Sequence, residues 1–181
     1  MRKLLILVLA LAFSGGGHAY AHQPVALINT DTTASKGPLL VDGTVSFAIR
    51  AAFTKTGEKK AFRAGYVQGD EISVQYLIVD KKPLNSLRPA QLPSLVITSP
   101  TGISMTLKMS ERTKFYEPYG GVNYLYLGRY KGVAEPGEYS FVITAKGKAS
   151  VTIGVGEKEG VRGDALRGAT PTPTPVQQEN Y

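Results

Sequence analysis

The stretch TVSFAIRAAFT, residues 44–54, decides the fold class. Val45, Phe47, Ile49, Ala51 and Phe53 share one parity, with Thr44, Ser46, Arg50 and Thr54 on the other. Successive strand side chains point to opposite faces, so this is the alternation of a half-buried strand. Asp42-Gly43, just ahead, is a turn signal that separates it from the apolar Leu39-Leu40-Val41.

The same reading extends along the chain. Gln68-Gly69-Asp70 opens a strand from Ile72 to Asp80 that is rich in Val, Ile and Tyr. Residues Lys81 to Pro93, with three prolines, read as a loop. Leu95 to Thr98 is a strand stopped by Ser99-Pro100-Thr101-Gly102, and Ile103 to Met109 continues beyond that turn. Tyr124 to Tyr130 follows the Gly120-Gly121 break. Glu135-Pro136-Gly137 then starts a hairpin of Glu138 to Ala145 and Ala149 to Val155, turned at Lys146-Gly147-Lys148. Short strands punctuated by Gly and Pro, with no helical period, predict an all-β fold. The expected form is a single antiparallel β-sandwich, jelly-roll or immunoglobulin-like, over residues 22–156.

The two ends differ from this middle. Arg2 and Lys3 precede ten unbroken apolar residues, Leu4 to Phe13, and Ala19-Tyr20-Ala21 fits the small-x-small rule of a cleavage site. Ten residues fall short of the roughly 20 that span a bilayer, so residues 1–21 read as a removable export signal. Cleavage between Ala21 and His22 would deliver a secreted chain, extracellular or in the periplasmic or cell-wall space. No later apolar run approaches membrane-spanning length, so no membrane insertion is expected after cleavage. At the other end hydrophobic density collapses after Gly156, and Thr170 to Pro175 alternates Thr with Pro. Such a composition buries no core, so residues 157–181 are expected to be a disordered tail.

Charge and composition exclude several classes of function. The formal charge of +7 falls to +5 once Arg2 and Lys3 leave. Positive residues come in short groups, among them Lys55, Lys59, Lys60 and Arg63, that sit beside turn signals and read as solvated basic loops. Nucleic acid is not an expected partner, because no stretch carries a nucleic-acid module. With no Cys and His22 as the sole histidine after residue 21, neither an ordinary zinc site nor a Ser-His-Asp or Cys-His arrangement can be built inside the domain. No phosphate-cradling Gly motif appears in a strand-to-helix context. A non-enzymatic protein without cofactor or metal is therefore expected.

Between Tyr66 and Val155 the chain resembles, in outline, the bacterial pre-peptidase C-terminal domain, a secreted β-sandwich appended to exported enzymes. The matching segments are Gln68-Gly69-Asp70 ahead of a strand, Leu95 to Gly102 (LVITSPTG), and Pro136-Gly137-Glu138-Tyr139 at the start of the closing hairpin. Pro93-Ser94 replaces the acidic residue that usually precedes the middle strand, and a Tyr-rich insertion follows Met109. The resemblance implies a jelly-roll-like sandwich with a non-catalytic role.

The Tyr-rich stretch supplies the candidate surface. Tyr116, Tyr119, Tyr124, Tyr126 and Tyr130 are five of the ten tyrosines. Alternation predicts Tyr124, Tyr126 and Tyr130 on one face, opposite Leu125, Leu127 and Arg129. With the leucines in the core, the tyrosines would form an outer row suited to stacking on sugar rings, with Arg129 among its polar neighbours. The same row would equally serve as cross-strand packing. The expected role is thus an accessory or binding module of the cell envelope for a polysaccharide or envelope polymer. The alternative is an interaction protein that binds another exported protein.

Overall fold

Strand formation follows the alternation closely in the computed structural model, which describes residues 22–168. The expected export signal and the Thr-Pro run lie outside the described residues. The strands are β1 (Gln23–Ala26), β2 (Leu39–Leu40), β3 (Phe47–Phe53), β4 (Lys59–Tyr66), β5 (Glu71–Val79), β6 (Ser94–Thr98), β7 (Ser104–Thr106), β8 (Thr113–Glu117), β9 (Val122–Val133), β10 (Gly137–Thr144), β11 (Ala149–Val155) and β12 (Ala165–Leu166). Helical structure among the described residues is limited to two single 3-10 turns, Leu84–Ser86 and Pro89–Gln91. The protein is all-β.

The strands make two six-stranded sheets. The first runs β1-β3-β11-β5-β9-β8 and the second β12-β2-β4-β10-β6-β7. Phe47, Ile49, Ala51 and Phe53 on β3 are all buried, as their parity predicts, and join Val74, Tyr76, Ile153 and Val155 from neighbouring strands. Phe62, Leu95, Phe141 and Ile143 come from the second sheet into the same apolar cluster. Phe62 and Phe141 face each other across β4 and β10 with ring centroids 4.5 Å apart and planes 3° from parallel. Each fully buried side chain of this size contributes about 1.5–3 kcal/mol relative to exposure. One core therefore serves both sheets.

The sheets are mixed, which corrects the antiparallel expectation. β1 pairs with β3 in parallel, and β2 pairs with β4 in parallel. Parallel neighbours need a crossover, whereas antiparallel ones need only a turn. Here the N-terminal chain runs along the edge of the first sheet, crosses at residues 27–38, and joins the second.

That crossing is held from β4, a strand the sequence reading lacked. Its inner parity is Lys60, Phe62, Ala64 and Tyr66, so a lysine stands where a core residue is expected. Lys60 is only 4% exposed and its Nζ donates to Leu27 O and Asn29 Oδ1, both at 3.1 Å. Arg63, on the opposite parity, is 3% exposed because the crossing segment lies over it. Its Nε donates to Ala34 O at 3.1 Å and its Nη1 to Glu138 Oε2 at 2.5 Å. Two of the four cations expected in a solvated loop are structural. Gly37 passes so close to β4 that a Cβ there would meet Ala61 O at 1.9 Å.

The far end of the chain returns to the same place. Residues 157–168, the first part of the span expected as a tail, lie against both sheets. Lys158 bridges Val45, and Lys158 O accepts the Ser46 N–H at 3.1 Å. β12 pairs with β2, and Arg167 reaches Asp31 Oδ2 at 3.1 Å and Ala26 O at 2.6 Å. Asp31 is 1% exposed; its carboxylate also accepts the Ile28 N–H, its carbonyl accepts the Ala61 N–H, and its own N–H donates to Ile28 O.

Removing the guanidinium at Arg63 takes from Glu138 a buried charge partner, and such losses cost about 3–5 kcal/mol. Arg63→Ala is therefore expected to move the urea unfolding midpoint sharply down. Lys59→Ala, at an exposed neighbour on the same strand, should stay within about 0.5 kcal/mol of the parent.

Candidate functional site

The outer face of the first sheet, opposite the core, carries the Tyr-rich strand. β8 and β9 are joined through residues 118–121, where Gly121 adopts a left-handed φ of 64° that favours glycine. Glu117 closes this turn: its Oε1 accepts the Tyr119 N–H and its Oε2 the Gly120 N–H, each at 2.7 Å. Both carboxylate oxygens are thus engaged by the hairpin's own backbone.

A β-bulge rearranges the expected Tyr row. β5 and β9 pair Leu77 with Tyr126 but Tyr76 with Gly128, which leaves Leu127 without a partner. One extra residue inverts the parity of everything beyond it. Leu125 and Leu127 both reach the core, before and at the bulge. Past it, Tyr130 pairs with the buried Val74 and packs on the core, beside Tyr139 and Met105. Arg129 pairs with Gln75 and joins the tyrosines on the outer face. The expected partition is corrected at these two positions: Tyr130 leaves the row and Arg129 enters it.

The remaining candidates divide by position. Tyr124 and Tyr126 stay on the outer face, opposite Phe115 and Thr113 of β8. Tyr119, at the hairpin tip, is 64% exposed and leans over the same face. Tyr116 has the other parity, pairs with Asn123, and stands on the reverse of the hairpin, 58% exposed.

Under the hairpin the outer face is concave. A cavity of 290 Å³ is lined by Phe115, Tyr119 and Tyr124 on one side and His22 and Arg50 on the other. Its floor is the small or short residues Ala48, Gly154 and Thr152, together with Gln75 and Leu77. A more open hollow of 520 Å³ continues it past Ala52, Ser150 and Val79. Arg50, Tyr124 and Thr152 line both parts, so the two form one groove across β3, β11 and β5. His22 is fixed at one end, where its Nδ1 hydrogen-bonds Ser46 Oγ.

Sequence reasoning reached Tyr119 and Tyr124 but missed the opposite wall. Arg50 was visible as the charged residue on the polar parity of β3. Gln75, Thr152 and Gly154 carried no signal beyond strand alternation, because only the pairing of β11 between β3 and β5 brings them together. Among the described residues, no three acidic or histidine side chains converge in a way that could hold a metal ion. No described helix is long and apolar enough to cross a membrane. A scan against protein families finds no match, and a search of curated proteins finds no similar chain.

Beyond the groove the face is stiffened by an ion pair. Arg129 forks onto Glu111, Nε to Oε1 at 2.8 Å and Nη2 to Oε2 at 2.5 Å, while its Cζ sits 4.7 Å from the Tyr126 ring centroid. The pair is solvent-exposed and so contributes at most about 1 kcal/mol. It still orients Tyr126, whose other neighbour is Phe115 at 5.2 Å. Hydrogen bonds from Arg129 and then Thr113 hold the Glu111 carboxyl down at about 2. A depressed carboxyl adds stability above its unfolded pKa of about 4.3 and loses it as pH falls toward the folded value. Carboxyl NMR titration should find Glu111 titrating near 2 in the parent. In Arg129→Ala its midpoint should rise toward the ordinary range.

Proposed function

We propose that the protein is an exported, non-catalytic binding module of the cell envelope, and that the groove on its first sheet takes an extended polysaccharide. The observation that carries this reading is the groove's composition. An aromatic flank, Phe115 and Tyr124, faces Arg50 across a floor of small residues in which Gln75 and Thr152 offer hydrogen-bonding side chains. Sugar rings offer an apolar face to stack on such aromatics and hydroxyls at their edge to such polar groups. The open hollow beyond lets a polymer continue along the sheet rather than end in a closed pocket.

The architecture is read as a β-sandwich of jelly-roll or immunoglobulin-like type, supported by two sheets feeding one core. The likeness to the pre-peptidase C-terminal domain belongs to this proposal. Its segments lead β5, form β6 with the following turn, and open β10. A binding role is favoured over catalysis because the only carboxylate lining the groove among the described residues, Glu117, spends both oxygens on backbone amides. Secretion rests on the export signal. Cleavage before His22 would place the new terminus at the end of the groove.

A second reading, an exported protein as partner, is favoured by a different surface. Ile103 and Val133 are 69% and 75% exposed and flank the hollow that Tyr130 and Tyr139 line.

Co-sedimentation of the purified protein with insoluble cell-wall glycan tests the first reading. Loss of one stacking ring in Tyr124→Ala should weaken retention on the order of tenfold. Tyr116→Ala, on the reverse of the hairpin, should bind like the parent. Full retention by Tyr124→Ala would overturn the groove as the binding site.

A further inference from the structure

The groove contains one charge that the protein leaves unanswered. Arg63, Arg112, Arg129 and Arg167 all donate to oxygens of the chain. Arg50 meets no acceptor among the described residues, although it projects from β3, one strand in from the sheet edge, into both halves of the groove. Its cross-strand neighbours are Ala26 on β1 and Thr152 on β11, and Ala48 and Ala52 flank it along β3. None of these is acidic. Glu117, the one acid among the described residues that line the groove, is already engaged by two backbone amides at the hairpin end.

An arginine held in a concave surface without a partner is a site for an anion, because its planar fork matches a pair of anionic oxygens in a bidentate way. The aromatic wall narrows which anion. A carboxylate borne on a sugar ring lets the ring lie on Tyr124 while its oxygens meet Arg50, since both residues line the same two hollows. A phosphate chain satisfies the arginine but brings no ring to the tyrosine. The long-range field agrees, with 19 Lys and Arg against 13 Asp and Glu over residues 22–168.

We infer that the groove selects an acidic polysaccharide, a polymer carrying uronic-acid carboxylates, and that Arg50 is the residue that recognises the acid. The inference rests on the reading of the groove as a polysaccharide site, which it deepens by naming the substrate class. Thr152 and Gln75 serve the ring hydroxyls beside the carboxylate. Arg50 is exposed on its strand, so its replacement leaves the core untouched.

Affinity electrophoresis of the purified protein through gels containing polygalacturonate, dextran or inorganic polyphosphate tests this directly. The parent should be retarded at least tenfold more strongly by polygalacturonate than by dextran at low salt, and the difference should shrink as salt rises. Arg50→Gln should lose most of that preference while melting at the parent's temperature. Arg50→Lys should recover only part of it, because an ammonium keeps the charge without the fork. Equal retardation by dextran overturns the acidic substrate, and an unchanged preference in Arg50→Gln overturns Arg50 as the residue that recognises the acid; either leaves the polysaccharide reading in place. Polyphosphate binding as tight as polygalacturonate overturns the sugar carboxylate. Indifference to polygalacturonate and dextran alike overturns the polysaccharide reading itself.

Discussion

Two desolvated cations on one strand hold the molecule's topology. A chain that places its first strand in one sheet and its second in the other must carry the linking segment across the open side of the core. That segment brings backbone carbonyls that need donors. Lys60 and Arg63 supply them, one from each face of β4, to Leu27 and Ala34 on either side of the crossing. Charges are costly to bury, and here each is surrounded by oxygens that offset the cost. The parallel pairings of β1 and β2, the burial of Asp31 and the docking of the C-terminal segment all depend on where this crossing lies.

The sequence made the periodic parts legible and hid the parts set by tertiary contact. β3 was readable because its parity is clean and its inward residues are all apolar. β4 was not, because Lys60 and Arg63 interrupt an otherwise apolar run, and charge in a sequence reads as solvent. Nothing local distinguishes a lysine in water from one whose amine meets two oxygens 31 and 33 residues away. The edge strands β1 and β12 were equally opaque, since short segments are fixed by the partner they find.

At the site, the same contrast holds within single residues. Alternation placed Tyr124 and Tyr126 correctly and failed from Leu127 onward, because a bulge is a feature of the strand pair and not of one strand. Gly128 marks it only in retrospect: a Cβ there would come within 2.3 Å of Lys108 O. The aromatic wall was visible as a cluster in sequence, whereas the facing wall is assembled from three strands far apart in the chain. A surface made that way leaves no contiguous signature.

The clasp between Asp31 and Arg167 joins residues 136 positions apart, and β12 lies against β2 in the same region. A chain emerging from its N-terminus therefore cannot complete the β12 edge of its second sheet until nearly the last described residues are free. The second position of the alphabet, so to speak, waits for the last. Early-emerging strands must persist as open edges through most of synthesis, and such edges are prone to pair with other chains. The shortness of β1 and β2, four and two residues, limits how much edge is on offer during that wait.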